Sequence, residues 1–179
     1  MAQPFPITHL GATRALAKFI AELEPGRIPG ATRTIVAQAF VDAIGCGLYG
    51  LLTPWAQIVH GFALEQGGPQ ESTLWAGGGR KISAINAALA AGTALHSFEV
   101  DDHNGGGKIH PGAAVIPAAF ALGERDGISA AKLLAAITAG YETMIRVSLA
   151  TNPVSSRMRG WHLARPRALA STRSAPTGR

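Results

Sequence analysis

Ser83-Ala84-Ile85-Asn86-Ala87-Ala88-Leu89-Ala90-Ala91-Gly92-Thr93-Ala94-Leu95-His96 is the stretch from which the fold is read. Ser83 suits a helix N-cap, because its hydroxyl can accept a hydrogen bond from an amide of the first turn. The helix it opens runs to about His96 and carries mostly alanine and glycine. So small a helix is best buried among other helices. Downstream, Pro111-Gly112 opens a fifth helix that ends near Glu124. Asp126-Gly127 is a turn, and Ser129 caps a sixth helix through about Leu149. Upstream, residues 8–24 read as an amphipathic helix, with Leu16, Phe19, Ile20 and Leu23 at the three-and-four spacing of one face. Pro25-Gly26 stops it. A second helix covers residues 31–50, with Ile35, Val36, Phe40, Ile44 and Leu48 expected inward. Gly45, Gly47 and Gly50 cost helix propensity there, and close approach to another helix would explain them. Pro54 opens a third helix to about Glu65. Residues 67–81 form a glycine-rich loop in which 71–75 could be a short extended piece. No strand pattern of useful length and no internal repeat is visible. The expected fold class is all-α, a helical bundle.

Composition narrows the function. Apolar residues are 47% and charged residues 15%, which excludes a disordered chain. No apolar run reaches the roughly 18 residues that cross a bilayer, and the first eleven residues show no secretory pattern. A cytoplasmic protein with no membrane partner is the expectation. The single cysteine, Cys46, cannot form an internal disulfide and reads as a buried structural thiol. The net charge of +5 raises the question of nucleic acid. Arg165, Arg167, Arg173 and Arg179 lie in the tail, however, and without them 12 Lys+Arg face 11 Asp+Glu. The body is nearly neutral, so no nucleic-acid partner is expected. Gly77-Gly78-Gly79 lacks the Gly-Lys-Ser/Thr ending of a phosphate loop and reads as a flexible turn.

The chemistry is expected between the fourth and fifth helices. His96-Ser97-Phe98-Glu99-Val100-Asp101-Asp102-His103-Asn104-Gly105-Gly106-Gly107-Lys108-Ile109-His110-Pro111-Gly112 holds three histidines and three carboxylates. A plain helix connection needs no such density. Glycines 105–107 let the backbone fold so that separated side chains converge. His110 precedes Pro111, a favoured first helical residue, and so stands at a helix start. The positive helix end favours the neutral imidazole that a general base requires. It also offers amides to a substrate carboxylate. As a plain cap, His110 has equal claim on sequence grounds. Asp101 and Asp102 have three readings: they orient a histidine, bind a metal with His96, His103 and His110, or cap helix ends. Metal binding ranks third, since two histidines four apart on a helix are absent. Arg157-Met158-Arg159-Gly160-Trp161-His162 is a second candidate. Arginine suits carboxylates, and His162 could partner His110; a solvated basic loop is the plainer reading.

Together these segments resemble the MmgE/PrpD family. The resemblance is carried by His-Ser-Phe-Glu-Val-Asp-Asp and His-Pro-Gly within residues 94–112, by Val115-Ile116-Pro117-Ala118-Ala119, and by Gly140-Tyr141-Glu142. Arg159-Gly160-Trp161-His162 and Asp42-Ala43-Ile44-Gly45-Cys46 add to it. It covers roughly residues 8–163. It implies a large helical domain followed in relatives by a smaller α+β domain, a homodimer, and no metal or organic cofactor. It implies a lyase or isomerase acting on small polycarboxylic acids, like 2-methylcitrate dehydratase, cis-aconitate decarboxylase or iminodisuccinate epimerase. Carried over, His110, His162, Asp101 and Asp102 would be catalytic, and Glu99, His103 and Arg159 would bind substrate. Glu99 stands where many relatives have Asp, and His103 where Thr is frequent.

After Leu163 the sequence departs from that pattern. Ala164 replaces a Thr, and a basic tail, residues 164–179, stands where relatives continue into catalytic lysines and the second domain. Residues 1–163 are therefore expected to form a truncated helical domain and residues 164–179 a disordered basic tail, the chain being a frameshifted or otherwise truncated fragment. Exposed apolar surface and impaired catalysis are expected to follow. The competing reading is a non-catalytic helical fragment that oligomerises or binds a partner.

Overall fold

The computed structural model describes residues 11–151. Its elements in chain order are α1 (Ala12–Glu22), a 3-10 turn (Pro25–Arg27), α2 (Gly30–Gly50), α3 (Pro54–Gln66), β1 (Ser72–Thr73), β2 (Lys81–Ile82), α4 (Ala84–Leu95), α5 (Pro111–Asp126) and α6 (Ala130–Thr151). The fold is helical, as expected, and each helix lies where the sequence put it to within a few residues. Local chemistry explains the boundaries. Ser83 Oγ accepts from the Asn86 amide at 3.4 Å, Thr53 Oγ1 accepts from Ala56 at 3.3 Å, and Ser129 Oγ accepts from Lys132 at 3.3 Å. Gly127 ends α5 in the left-handed region (φ 62°).

The alanine-rich α4 is the centre of the bundle. It packs most extensively on α5 and also on α2 and α3. Six of its residues are buried: Ala84, Ala87, Ala90, Ala91, Ala94 and Leu95. Backbone contact is what the small side chains permit. Pro117, inside α5, lacks the amide that would bond the Ala113 carbonyl. Gly92 of α4 lies against that carbonyl, which would stand 2.8 Å from a Cβ at Gly92. One core cluster joins α4 to the hairpin through Ala63, Leu74, Ile82, Ala87 and Ala121. The other joins α2, α4, α5 and α6 through Val36, Ala43, Leu95, Ile116 and Ile137.

Two expectations are corrected. In α2, Ile35 is 64% exposed and Leu48 49% exposed, so neither points inward. The buried residues are Val36, Ala43, Gly47 and Gly50. The helix is apolar nearly all round, and close packing selects its smallest face. Gly50 abuts the Ala94 carbonyl, and Gly47 abuts the Trp75 ring; Gly45 meets nothing within 4 Å. Cys46 is half-buried rather than fully buried. Burial and the nearby Asp42 carboxylate push its thiol up, which keeps it unreactive.

The extended piece near residues 71–75 is real but short. Ser72 pairs with Ile82 and Thr73 with Lys81, antiparallel. A two-stranded ladder is too small to stand alone. Glu124 of α5 holds it: its carboxylate accepts from the Thr73 amide (2.6 Å), Thr73 Oγ1 (2.6 Å) and Ser72 Oγ (3.1 Å), and pairs with Lys81 Nζ (2.9 Å). Partial burial alone would raise its pKa, but these donors outweigh burial and hold it at about 2, against an ordinary 4.5. A depressed carboxyl contributes stability that is complete above its unfolded value. That stability is lost as pH falls from about 4.5 to about 2. The expected contribution is up to about 3 kcal/mol. Unfolding of Glu124→Gln across that acid window should show a clearly flatter pH dependence than the parent. Equal slopes would mean that the carboxylate is not held as described.

By length and mean hydropathy α6 could cross a bilayer. It nonetheless packs on α5, buries Ala135, Ile137, Thr138, Ala139 and Ser148, and carries a Glu142–Arg146 ion pair. Large apolar side chains stand exposed elsewhere, including Leu52, Trp55, Ile58 and Phe62 around α3 and Ile85 and Leu89 on α4. The expected exposed apolar surface is present.

Candidate active site

The loop between α4 and α5 is built rather than slack. The Asn104 amide donates to the Ile109 carbonyl at 2.9 Å, and the Lys108 amide donates to Asn104 O at 2.7 Å. Asn104 Oδ1 accepts from the Gly107 amide at 2.7 Å. Ser148 of α6 donates to Gly107 O at 2.6 Å and is buried. Ile109 is buried beneath the loop. This anchoring returns the chain so that His110, at the start of α5, meets His96, at the end of α4.

Between them lies Asp101, whose side chain is 1% exposed. His96 Nδ1 is 3.0 Å from Asp101 Oδ1 and 3.1 Å from Oδ2. His110 Nδ1 is 3.3 Å from the same Oδ1. That nitrogen is buried and lacks the alignment of a full hydrogen bond. The two rings stand 4.7 Å apart, centroid to centroid, and His103 is 5.1 Å from His110. His110 makes no side-chain capping bond, so its role as a plain cap finds no support in the geometry.

Asp101 and Asp102 have different surroundings. Asp101 faces the imidazoles, whereas Asp102 Oδ1 accepts from the Gly112 amide at 2.8 Å, in the first turn of α5. An acceptor there satisfies an amide without an intrahelical partner. It also takes one of the donors expected for a substrate. Pro111 has no amide, so Ala113 is the first-turn residue left to donate. Gly112 has no room for a side chain, because Asp102 and the Tyr141 hydroxyl crowd it. Burial, and then Asp102, push the Tyr141 phenol well above its usual range and keep it protonated.

The other candidates are less well placed. Glu99 is exposed, on a residue with φ 52°. His103 is exposed beside His110. Arg159 and His162 lie outside the described residues, as does the basic tail, residues 164–179. Sequence reading gave His96 a role only in a metal set and gave Tyr141 none. A histidine five residues before the acidic pair, and a tyrosine within Gly140-Tyr141-Glu142, were the available signals.

An open cavity of about 740 Å³ lies over the histidines, lined by His96, Ser97, His110, Thr93, Trp55 and Met144 among others. Its size falls in the range of small-molecule sites. His96, Asp101 and His110 each offer one donor atom, all within 4.8 Å of one another, so this set could also hold a divalent metal ion. Without a metal, two imidazoles on one buried carboxylate can accept and return protons.

The family described as the MmgE/PrpD N-terminal domain matches residues 14–175, a span that continues past Leu163. The chain is 28% identical over 157 residues to the "Cis-aconitate decarboxylase-like protein oryM" of Aspergillus oryzae (strain ATCC 42149 / RIB 40). The aligned part is 84% of this chain and 32% of that relative, so the chain spans about a third of the relative's length. No solved structure matches it.

Proposed function

Because the chain belongs to the MmgE/PrpD family, we propose that it supplies the histidine half of a lyase or isomerase site for small polycarboxylic acids. The supporting observation is the Asp101 carboxylate, buried and shared by His96 and His110 at the wall of one cavity. His110 takes a proton from the carbon next to a substrate carboxylate. The C–H electron pair passes toward that carboxylate, and expulsion of hydroxide, protonated to water, completes a dehydration, while return of the proton completes an isomerisation. In a decarboxylation the C–C bond breaks instead, its electron pair enters the enolate-like system as carbon dioxide leaves, and a protonated histidine returns a proton to carbon. Asp101 offsets the positive charge that appears on the imidazole. The α5 start, through Ala113, is suited to receive a substrate carboxylate. The enzyme acts in the cytoplasm as a homodimer, with no cofactor in this half of the site.

The exposed apolar side chains of α3 and α4 favour a second reading, a helical domain whose main task is association. One experiment addresses both. The purified chain is offered citrate, 2-methylcitrate and cis-aconitate, with product followed by mass spectrometry and assembly by sedimentation. Turnover of any of them above the uncatalysed rate is expected, at an impaired level. Absence of turnover in a well-folded oligomer would displace the enzymatic reading in favour of association.

A further inference from the structure

His96 enters the reading above only as a neighbour, yet its geometry is at least as good as that of His110. Its Nδ1 reaches both oxygens of Asp101, at 3.0 and 3.1 Å, and its ring lines the same cavity. We propose that Asp101 is a shared positioning residue that locks His96 and His110 in one tautomer and makes His96 a second proton acceptor facing the cavity. This rests on the proposed family chemistry for its use, but not for its structure.

A nitrogen lone pair at 3.0–3.3 Å from a carboxylate oxygen is repelled, whereas an N–H there is attracted, the more so away from water. Asp101 has 1% of its side chain exposed, so water does not relieve the contact. Both Nδ1 atoms therefore carry hydrogen. In the neutral imidazole, which has one N–H, that leaves Nε2 bare. A carbon acid bound in the cavity that both rings line meets two acceptors. When a C–H bond next to a carboxylate breaks, the electron pair passes into an enolate-like system. The proton goes to Nε2 of either ring, and that imidazolium keeps its Nδ1–H on Asp101. With ring centroids 4.7 Å apart, one substrate can be reached by both. A site of this kind can return a proton from a different ring than the one that took it.

The test is nitrogen NMR of the full chain labelled with 15N-histidine, near neutral pH, with assignment by His96→Gln and His110→Gln. The expected result is the Nδ1–H form for both rings. In His96→Gln, His110 should keep that form, because its Nδ1 still faces the Asp101 carboxylate at 3.3 Å. In Asp101→Ala, provided the amide spectrum stays dispersed, both rings should drift together toward the ordinary Nε2–H mixture. An Nε2–H signature on either ring of the parent overturns the proposal. So does a stoichiometric divalent metal bound to His96, Asp101 and His110 in the protein as purified. Turnover is a separate readout. Locked tautomers with no turnover would remove the enzymatic reading and leave the lock intact; turnover with unlocked rings would do the reverse.

Discussion

Gly50→Ala is expected to destabilise the chain by about 3 kcal/mol, the upper end for overpacking a tight contact. Gly50 closes α2, is buried, and rests on the Ala94 carbonyl of α4, with Ser97 Cβ 3.3 Å from where its own Cβ would be. The obstacle is backbone, which cannot rotate away as a side chain can, so the two helices must separate. Because α4 is the centre of the bundle, separation opens the core on both of its sides. Gly45 of the same helix provides the control. It is exposed, with nothing within 4 Å of a Cβ. Gly45→Ala should stabilise by roughly 0.5–1 kcal/mol, because alanine loses less conformational freedom than glycine in a helix. Urea denaturation of both variants, at matched slope, measures the contrast. Equal midpoints would mean that α2 and α4 do not meet at Gly50.

The second large effect concerns the site. On whichever polycarboxylate the chain turns over, His110→Gln should lower kcat/KM by about 100-fold to 10,000-fold, the usual contribution of a positioned proton-transfer group. Gln keeps approximate size and polarity, so the fold should persist, and an unchanged thermal midpoint would show that it does. His103 is exposed beside His110 and does not share Asp101, so His103→Gln should cost far less. Full activity in His110→Gln would place the base elsewhere. Comparable losses at both positions would instead indicate a general disturbance of the loop.

The neighbouring aspartates show where sequence reasoning stopped. Asp101 and Asp102 are chemically identical and adjacent, and every role open to one was open to the other. Their surroundings differ because the chain turns between them. Asp101 falls between two imidazoles, and Asp102 falls on the Gly112 amide. Asp102 thereby blocks an amide that a sequence reading had offered to substrate. His96 was underestimated for a similar reason, since its partner Asp101 is local but its companion ring, His110, arrives only after the loop returns. That return depends on Ser148, far along α6, donating to Gly107. The hairpin was hard to see because its two-residue strands are too short for alternation to register. Glu124, a distant residue in sequence, is what holds it.

The sequence by itself determined the helices, their caps and breaks, and the one segment dense enough in histidine and carboxylate to be a site. These are local properties: an N-cap serine, a proline at a helix start or an alanine-rich run acts through its immediate neighbours. The tertiary structure decided which face each helix buries and which of the clustered polar groups meet. In α2, apolar on nearly every side, periodicity could not choose between Ile35, Leu48 and the Val36–Ala43–Gly47–Gly50 line. The close approach of α4 chose the latter, because only small side chains let two backbones come into contact.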